Sequence, residues 1–107
     1  MAMNMTSGEL FDLCKSSLRI VDNAFDNELL SIIDACFQDL SVSGVNPDRE
    51  SVEPLIAQAV VFYCKGNFGF REDSEKYKER YERLKISLSL SAKSQPWGEA
   101  LGVEHGG

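Results

Sequence analysis

The chain has 107 residues, of which 43% are hydrophobic and 26% are charged, and its formal net charge is −6. These values suggest one folded domain with a modest core and exclude a chain that is disordered throughout. The acidic balance disfavours a protein that wraps DNA, which needs a basic surface. No apolar run approaches the ~20 residues of a membrane helix, and residues 1–6 lack the features of a secretory signal, so we expect the protein to stay in the compartment where it is made.

The first two predicted helices cover residues 7–18 and a segment that begins near Asp26. Thr6 and Glu9 have the spacing of a capping box, which marks the start of the first helix. In the second helix, the apolar residues recur at the spacing of one helical face: Leu29, Leu30, Ile32, Ile33, Cys36, Phe37 and Leu40. We predict that Asp26 caps this helix at its N-terminus and that Gly44 follows its end.

The third predicted helix is the most apolar segment of the chain. Ser51 is the expected N-cap, and Pro54 fits the first turn, where a missing N–H does no harm. Residues 60–64 are apolar on nearly every side, which predicts a central, buried helix. The β-branched residues within it would also suit a strand, but the length of the segment favours a helix. Gly69 is the preferred residue just after its end.

The fourth predicted helix starts near Asp73 or Ser74 and has a narrow apolar seam on a charged surface. The seam consists of Tyr77, Tyr81, Leu84 and Leu88. After Leu90 the helical period ends. We therefore expect an all-α fold, in which a small bundle of about four helices occupies residues 1–91 and a flexible C-terminal tail occupies residues 92–107.

Apolar residues near and within the predicted tail are our candidates for partner docking. Leu88 and Leu90 lie at the end of the fourth helix, and Trp97 and Leu101 lie in the tail. A flexible tail would leave such side chains exposed, which indicates a segment that a partner orders. The alternative, which the sequence supports equally, is that Trp97 folds back onto its own domain.

No residue pattern indicates a catalytic, cofactor or metal site. The three cysteines are not clustered, and each falls on an apolar helix face, which favours buried structural thiols: Cys14, Cys36 and Cys64. The single histidine, His105, precedes two terminal glycines, where a general base is rarely held in position. Asp34 and Asp39 lie on a polar face, where a solvated surface is a better interpretation than acid–base catalysis. We therefore expect a protein without enzymatic activity, cofactor or metal.

Charge is unevenly distributed along the chain. Residues 1–54 hold ten acidic and three basic residues, whereas residues 55–107 hold seven acidic and eight basic residues. This asymmetry suits contacts between copies of the chain, although two solvated faces would explain the same counts.

The tyrosines and basic residues of the fourth helix would suit nucleic-acid binding. The helical spacing of the tyrosines favours core packing instead, and the interleaved glutamates weaken the case for phosphate contacts.

Three stretches carry a family resemblance when they are read together. The first is LRIVDNAFD followed by LLSIIDA, within residues 18–35; the second is PLIAQAVVFYCKGNFGF, residues 54–70; the third is residues 77–91, where YERLK leads into LSLS. In order and spacing they resemble the small head–tail connector proteins of tailed bacteriophages and prophages, often labelled DNA-packaging or head-completion proteins. The resemblance covers about residues 7–91.

The resemblance implies a structural subunit of a connector ring, commonly of about twelve copies. Such a ring lies beneath the portal and extends the DNA channel toward the tail during virion assembly, and a C-terminal segment commonly docks on the portal. The implied partners are the portal protein, the next tail-side connector or tail component, and other copies of the chain. DNA would pass without sequence-specific binding, and no membrane is involved. The implied location is the head–tail junction of the virion, after assembly in the host cytoplasm.

Two other functions are compatible with the residues alone. A small helical adaptor or regulator, binding a single protein partner through a groove or through the tail, is the main alternative. An enzyme or a DNA-binding module is the weakest, because the sequence offers neither a convergent set of reactive groups nor a basic surface.

Overall fold

The structure, a computed structural model, describes residues 3–69 and 71–93. These residues form four α-helices: α1 (Ser7–Ser17), α2 (Asp26–Val42), α3 (Pro54–Asn67) and α4 (Ser74–Lys93). Within this part of the chain there is no β-strand, and its one β-type pairing is an isolated antiparallel bridge between Met5 and Val52. The predicted all-α fold of four helices is confirmed. Residues 94–107, which make up most of the predicted tail, lie outside the described residues.

Helix α3 is the centre of the bundle and packs against the other three helices. Its buried residues point in several directions: Ile56, Ala57, Ala59, Val60, Val61, Cys64 and Gly66. The predicted central helix is confirmed, but Ser51 is not its N-cap. Glu53 occupies that position and Pro54 follows it, while Ser51 Oγ accepts a hydrogen bond from Asn4 Nδ2 at 3.0 Å. The bridge between Met5 and Val52 keeps this segment extended and delays the start of the helix.

Both ends of α1 are closed by local hydrogen bonds. At its start, the Glu9 amide donates to Thr6 Oγ1 at 3.1 Å and the Thr6 amide donates to Glu9 Oε1 at 2.9 Å, so the predicted capping box is confirmed. At its end, the Ile20 amide donates to the Lys15 carbonyl at 2.9 Å. This turn places Arg19 in the left-handed region, with φ of 61°, a conformation that usually favours glycine.

The start of α2 differs from the prediction, whereas its end agrees with it. Phe25 is the N-cap residue and no side chain caps the helix. Asp26 is the first helical residue, and its carboxylate pairs with Lys15 Nζ of α1 at 2.9 Å. At the other end, Gly44 adopts φ of 89° and the Val45 amide donates to the Leu40 carbonyl at 2.8 Å, a closure that requires the left-handed residue.

Helix α4 lies along α3, and the two helices approach closely at Gly66. A Cβ atom at this position would lie 2.8 Å from Lys78 Cγ and 3.2 Å from the Lys78 backbone nitrogen. Gly66 therefore belongs to the helix and permits the contact, while Gly69, with φ of 62°, follows the helix end as predicted. Three residues of the predicted seam face the core, Tyr81, Leu84 and Leu88, and Tyr81 is the most buried of them. The helix continues to Lys93, three residues past the expected end at Leu90.

Candidate assembly surfaces

The three cysteines lie in the core, one on each of α1, α2 and α3, and each is at most 1% exposed. Burial raises the pKa of the Cys36 thiol to about 12, and a hydrogen bond with Cys14 together with burial raises the pKa of Cys64. Thiols in this state remain protonated and unreactive at neutral pH. Among the described side chains, no group of three or more histidine, cysteine or acidic residues is arranged to hold a metal ion. The interpretation as buried structural thiols is confirmed.

Asp39 of α2 is the centre of a polar network that joins α2 to α4. Its Oδ2 accepts hydrogen bonds from the Tyr81 hydroxyl at 2.7 Å and from Lys85 Nζ at 2.8 Å. Lys85 Nζ also pairs with Glu82 Oε1 at 3.0 Å. Burial by itself would raise the pKa of Asp39, but the hydrogen bonds from Lys85 and Tyr81 outweigh it and lower the pKa below its ordinary value.

The two carboxylates of α2 were interpreted as solvated surface rather than as acid–base catalysts. Asp34 does lie at the surface, where its side chain is 50% exposed, whereas Asp39 is partly buried between α2 and α4. Asp34 accepts a hydrogen bond from Arg49 Nη1 at 2.7 Å, which lowers its pKa. Asp39 accepts hydrogen bonds from Tyr81 and Lys85. An ionised carboxylate that already accepts from two donors is suited to anchoring a helix rather than to moving a proton. The network therefore fixes α4 against α2.

A second link fixes the C-terminal half of α4. Ser89 Oγ donates to the Ser43 carbonyl at 2.9 Å, where the chain leaves α2. Ser43 is the C-cap residue of α2, and its carbonyl has no partner within that helix because the last carbonyls of a helix have none. The end of α4 is thus held beside the loop between α2 and α3.

A groove of about 730 Å³ lies between this loop and the end of α4. Its apolar lining comprises Val45, Pro47, Ile56, Leu88 and Ala92. Its polar lining comprises Asn4, Asn46, Asp48, Ser51, Glu53 and Ser91. The closed turn at Gly44 and the bridge between Met5 and Val52 hold the loop side of the groove in place. The result is a concave, mixed surface at the point where the chain continues beyond α4.

Of the four predicted docking residues, the structure describes Leu88 and Leu90. Leu88 is partly buried, packs against the core and lines the groove. Leu90 is 59% exposed, and Ile86, which is 57% exposed, lies one turn before it on the same side of α4. Trp97 and Leu101 lie outside the described residues. Sequence reasoning missed Ile86, although its four-residue spacing from Leu90 on a charged helix was visible.

Four cationic side chains surround Tyr77 near the start of α4. The distances from their charged groups to the centre of its ring are 4.9 Å for Lys65, 5.3 Å for Lys76, 5.3 Å for Arg80 and 6.0 Å for Arg71. These contacts lie within the range of cation–π attraction. We call these five residues the Tyr77 cluster. The expectation that the tyrosines pack in the core is confirmed for Tyr81, which is 2% exposed, whereas Tyr77 is partly exposed and organises surface charge.

The described part of the chain contains no helix that combines the length and the hydropathy needed to cross a membrane.

A family model described as phage connector protein matches residues 10–95. The match includes α2, α3 and α4 entirely and α1 from Leu10 onward. No curated protein and no solved structure shows a significant match to the chain. Because the family match spans most of the chain, the protein belongs to the phage connector protein family, whose members are structural components of the virion.

Proposed function

We propose that the chain is one subunit of a head–tail connector ring that docks beneath the portal and extends the DNA channel toward the tail. The observation that supports this most directly is the family match over residues 10–95. The proposed partners are the portal protein, the next tail-side connector or tail component, and further copies of the chain, with about twelve copies in the ring. In this role the protein acts by geometry at the head–tail junction and catalyses no reaction.

We place the docking surface at the C-terminal end of α4. Leu88 lines the groove there, and Ile86 and Leu90 present apolar surface to solvent on the same helix. Trp97 and Leu101 follow in the sequence and would extend this surface. Apolar residues that are exposed at the end of a well-anchored helix suit a contact with another protein.

The anchoring of α4 supports this placement. The network around Asp39 and the hydrogen bond from Ser89 to the Ser43 carbonyl fix the helix before its last turn. A docking segment that starts from a fixed helix loses less conformational freedom on binding than one that hangs from a loop. In this proposal residues 1–91 form the domain, and the docking segment at 92–107 begins as a continuation of α4.

The charge of the chain supports passage of DNA without stable binding. The net charge of −6 opposes attraction to phosphates over the molecule as a whole. A ring of such subunits would repel DNA along most of its surface and leave it free to slide. The adaptor alternative requires none of this, because it predicts one copy bound to one partner.

Co-purification with the portal protein tests the docking surface. We expect the wild-type chain to bind portal rings, and we expect Leu90→Asp to weaken this binding by at least about tenfold, since a buried unpaired charge is costly at an interface. Val21→Asp is the matched control, because Val21 is 96% exposed in the turn between α1 and α2. Circular dichroism checks that both variants are folded. Equal binding by the two variants would show that the docking surface is elsewhere, and a wild-type chain that binds no portal would contradict the connector function.

Truncation after Lys93 tests the remaining part of the surface. We expect the shortened chain to keep its helical content, because the described core ends within α4, and to bind the portal more weakly than the full chain. An unfolded product would place residues 94–107 in the fold of the domain. Portal binding at full strength would exclude Trp97 and Leu101 from docking.

A further inference from the structure

We infer that the Tyr77 cluster is one half of a contact between neighbouring copies of this chain, and that the acidic surface of α1 and the start of α2 is the other half. The inference rests on the proposed function for the existence of an assembly. It adds which faces meet and what chemistry joins them.

The cluster concentrates positive charge that is only partly neutralised within the described residues. Arg71 pairs with Asp73 Oδ1 at 3.1 Å. Lys65, Lys76 and Arg80 form no salt bridge with a carboxylate in the described part of the chain, although, besides the hydrogen bond from Arg71, the charge of Lys76 helps to lower the pKa of Asp73, and all three contact the ring of Tyr77. One aromatic ring attracts nearby cations but leaves their charge in place. The cluster is therefore a basic patch on a chain whose net charge is −6.

The rest of α4 is different, because the other cations among its described side chains are paired within the chain. Lys78 pairs with Glu75 at 3.4 Å, Arg83 with Glu79 at 2.9 Å and Lys85 with Asp39 at 2.8 Å. Among the described side chains, the cations of α4 without a salt bridge thus lie near its N-terminal end. This arrangement distinguishes a patch from an ordinary solvated helix surface.

The N-terminal half of the chain presents the complementary charge. Of its three basic residues, Lys15 is paired with Asp26 and Arg49 with Asp34. Arg19 is exposed and forms no salt bridge among the described residues. Asp12 on α1 and Glu28 on α2 are exposed and have no basic partner among the described residues. The carboxylates of Asp12 and Glu28 in one copy are complementary in charge to the cations of the Tyr77 cluster in another copy.

A contact of this kind joins one face of a copy to a different face of the neighbouring copy. Each copy then keeps a free basic patch at one side and a free acidic surface at the other, so further copies add in the same way and the series closes into a ring if the rotation permits. DNA phosphates would also attract the patch, but the net charge of the chain opposes them while the acidic surface of a second copy supplies a fitted partner. A second copy is therefore the occupant that the charges favour.

Charge reversal with reciprocal rescue tests the inference. One full-length variant carries Lys76→Glu and Arg80→Glu, and the other carries Asp12→Lys and Glu28→Lys. Each variant alone then places like charges at every contact, so we expect self-association to weaken by at least about tenfold. In an equimolar mixture every contact between unlike variants is again complementary, and we expect association to return. Arg83→Glu, on the same helix but outside the cluster, is the control that should assemble like wild type.

The readouts are sedimentation velocity of the full-length chains and the number of copies bound per portal ring, with circular dichroism to confirm folding. Rescue by mixing supports the inference, because neither loss of fold nor loss of portal contact would be restored by the partner variant. If wild type assembles and the variants assemble equally well, or if mixing restores nothing, the inference is overturned while the connector function stands. If the first variant instead loses only DNA affinity, measured with a short duplex at low salt, the patch serves DNA and the inference is also overturned. If wild type neither assembles nor binds a portal, the proposed function itself fails.

Discussion

Replacing Tyr81 by phenylalanine removes a single hydroxyl from the contact between α2 and α4. Tyr81 is 2% exposed, and its hydroxyl donates to Asp39 Oδ2 at 2.7 Å. A hydrogen bond to a charged group stabilises a protein by about 1.5–3 kcal/mol. The lower end applies here, because the Asp39 side chain is 38% exposed and keeps its contact with Lys85. We therefore expect Tyr81→Phe to lower the free energy of unfolding by about 1.5 kcal/mol at neutral pH.

The same substitution should change the response to alkaline pH. Burial, together with the hydrogen bond to Asp39, raises the pKa of Tyr81 above its ordinary value of 10.0. The unfolded chain loses this proton near the ordinary value, whereas the folded chain keeps it. The stability that the hydroxyl contributes is therefore present below pH 10 and is lost as the pH rises toward the folded-state pKa. The advantage of wild type over Tyr81→Phe should shrink above pH 10.

Urea denaturation followed by far-ultraviolet circular dichroism measures both effects. The titrations are run at neutral pH and again above pH 10 for wild type, Tyr81→Phe and Tyr77→Phe. Tyr77→Phe is the matched control, since the Tyr77 hydroxyl makes no hydrogen bond among the described residues, and its effect should stay within about 0.5 kcal/mol. Equal losses for the two variants, or a difference from wild type that is the same at both pH values, would refute the role assigned to the network.

Three further substitutions test local features of the fold, each by the same denaturation assay. Thr6→Ala removes the hydroxyl that accepts from the Glu9 amide and should lower the free energy of unfolding by about 1 kcal/mol; an unchanged midpoint would show that the cap is not needed. Arg19→Gly removes the strain of a non-glycine residue in the left-handed conformation, which costs about 1–2 kcal/mol. Because glycine has more conformational freedom in the unfolded chain, we expect the free energy of unfolding to rise by only up to about 1 kcal/mol. A decrease would argue against that backbone conformation. Gly66→Ala gains about 1 kcal/mol of helix propensity but forces α3 away from Lys78 at a cost of about 1–3 kcal/mol, so we expect a net loss, which a stabilised variant would contradict.

The features that the sequence predicted correctly depend on residues close together in the chain. The capping box of Thr6 and Glu9 spans one helical turn, and Gly44 and Gly69 follow helices whose apolar period stops just before them. The central position of α3 was also predictable, because a segment that is apolar on nearly every side has to be surrounded by other helices.

The features that were missed depend on contacts between distant residues. Asp26 and Ser51 are good N-cap residue types, but Lys15 and Asn4 compete for their side chains once the helices pack. Asp39 looked like a solvated carboxylate, because Lys85 is 46 positions away in the chain. The helical periodicity of α2 does not indicate which side chains of α4 pack against it.

The surface features were likewise predictable where they depend on neighbouring residues and were missed where they depend on residues distant in the chain. Leu88 and Leu90 were identified from helical spacing, but the loop side of the groove is built by a turn and a bridge that bring Val45 beside α4. In the Tyr77 cluster, Lys76 and Arg80 flank Tyr77 in sequence, whereas Lys65 reaches the ring only through the packing of α3 on α4. The helices could therefore be predicted from the sequence, whereas the polar surfaces that their packing creates could not.

Imaging the full-length chain together with its portal protein by electron cryomicroscopy tests the central claim most directly. We expect a closed ring of about twelve copies on the tail side of the portal, with the C-terminal end of α4 against the portal and the central channel continued through the ring. A single copy bound to the side of one portal subunit, or a portal with no added density after incubation with excess chain, would contradict the account.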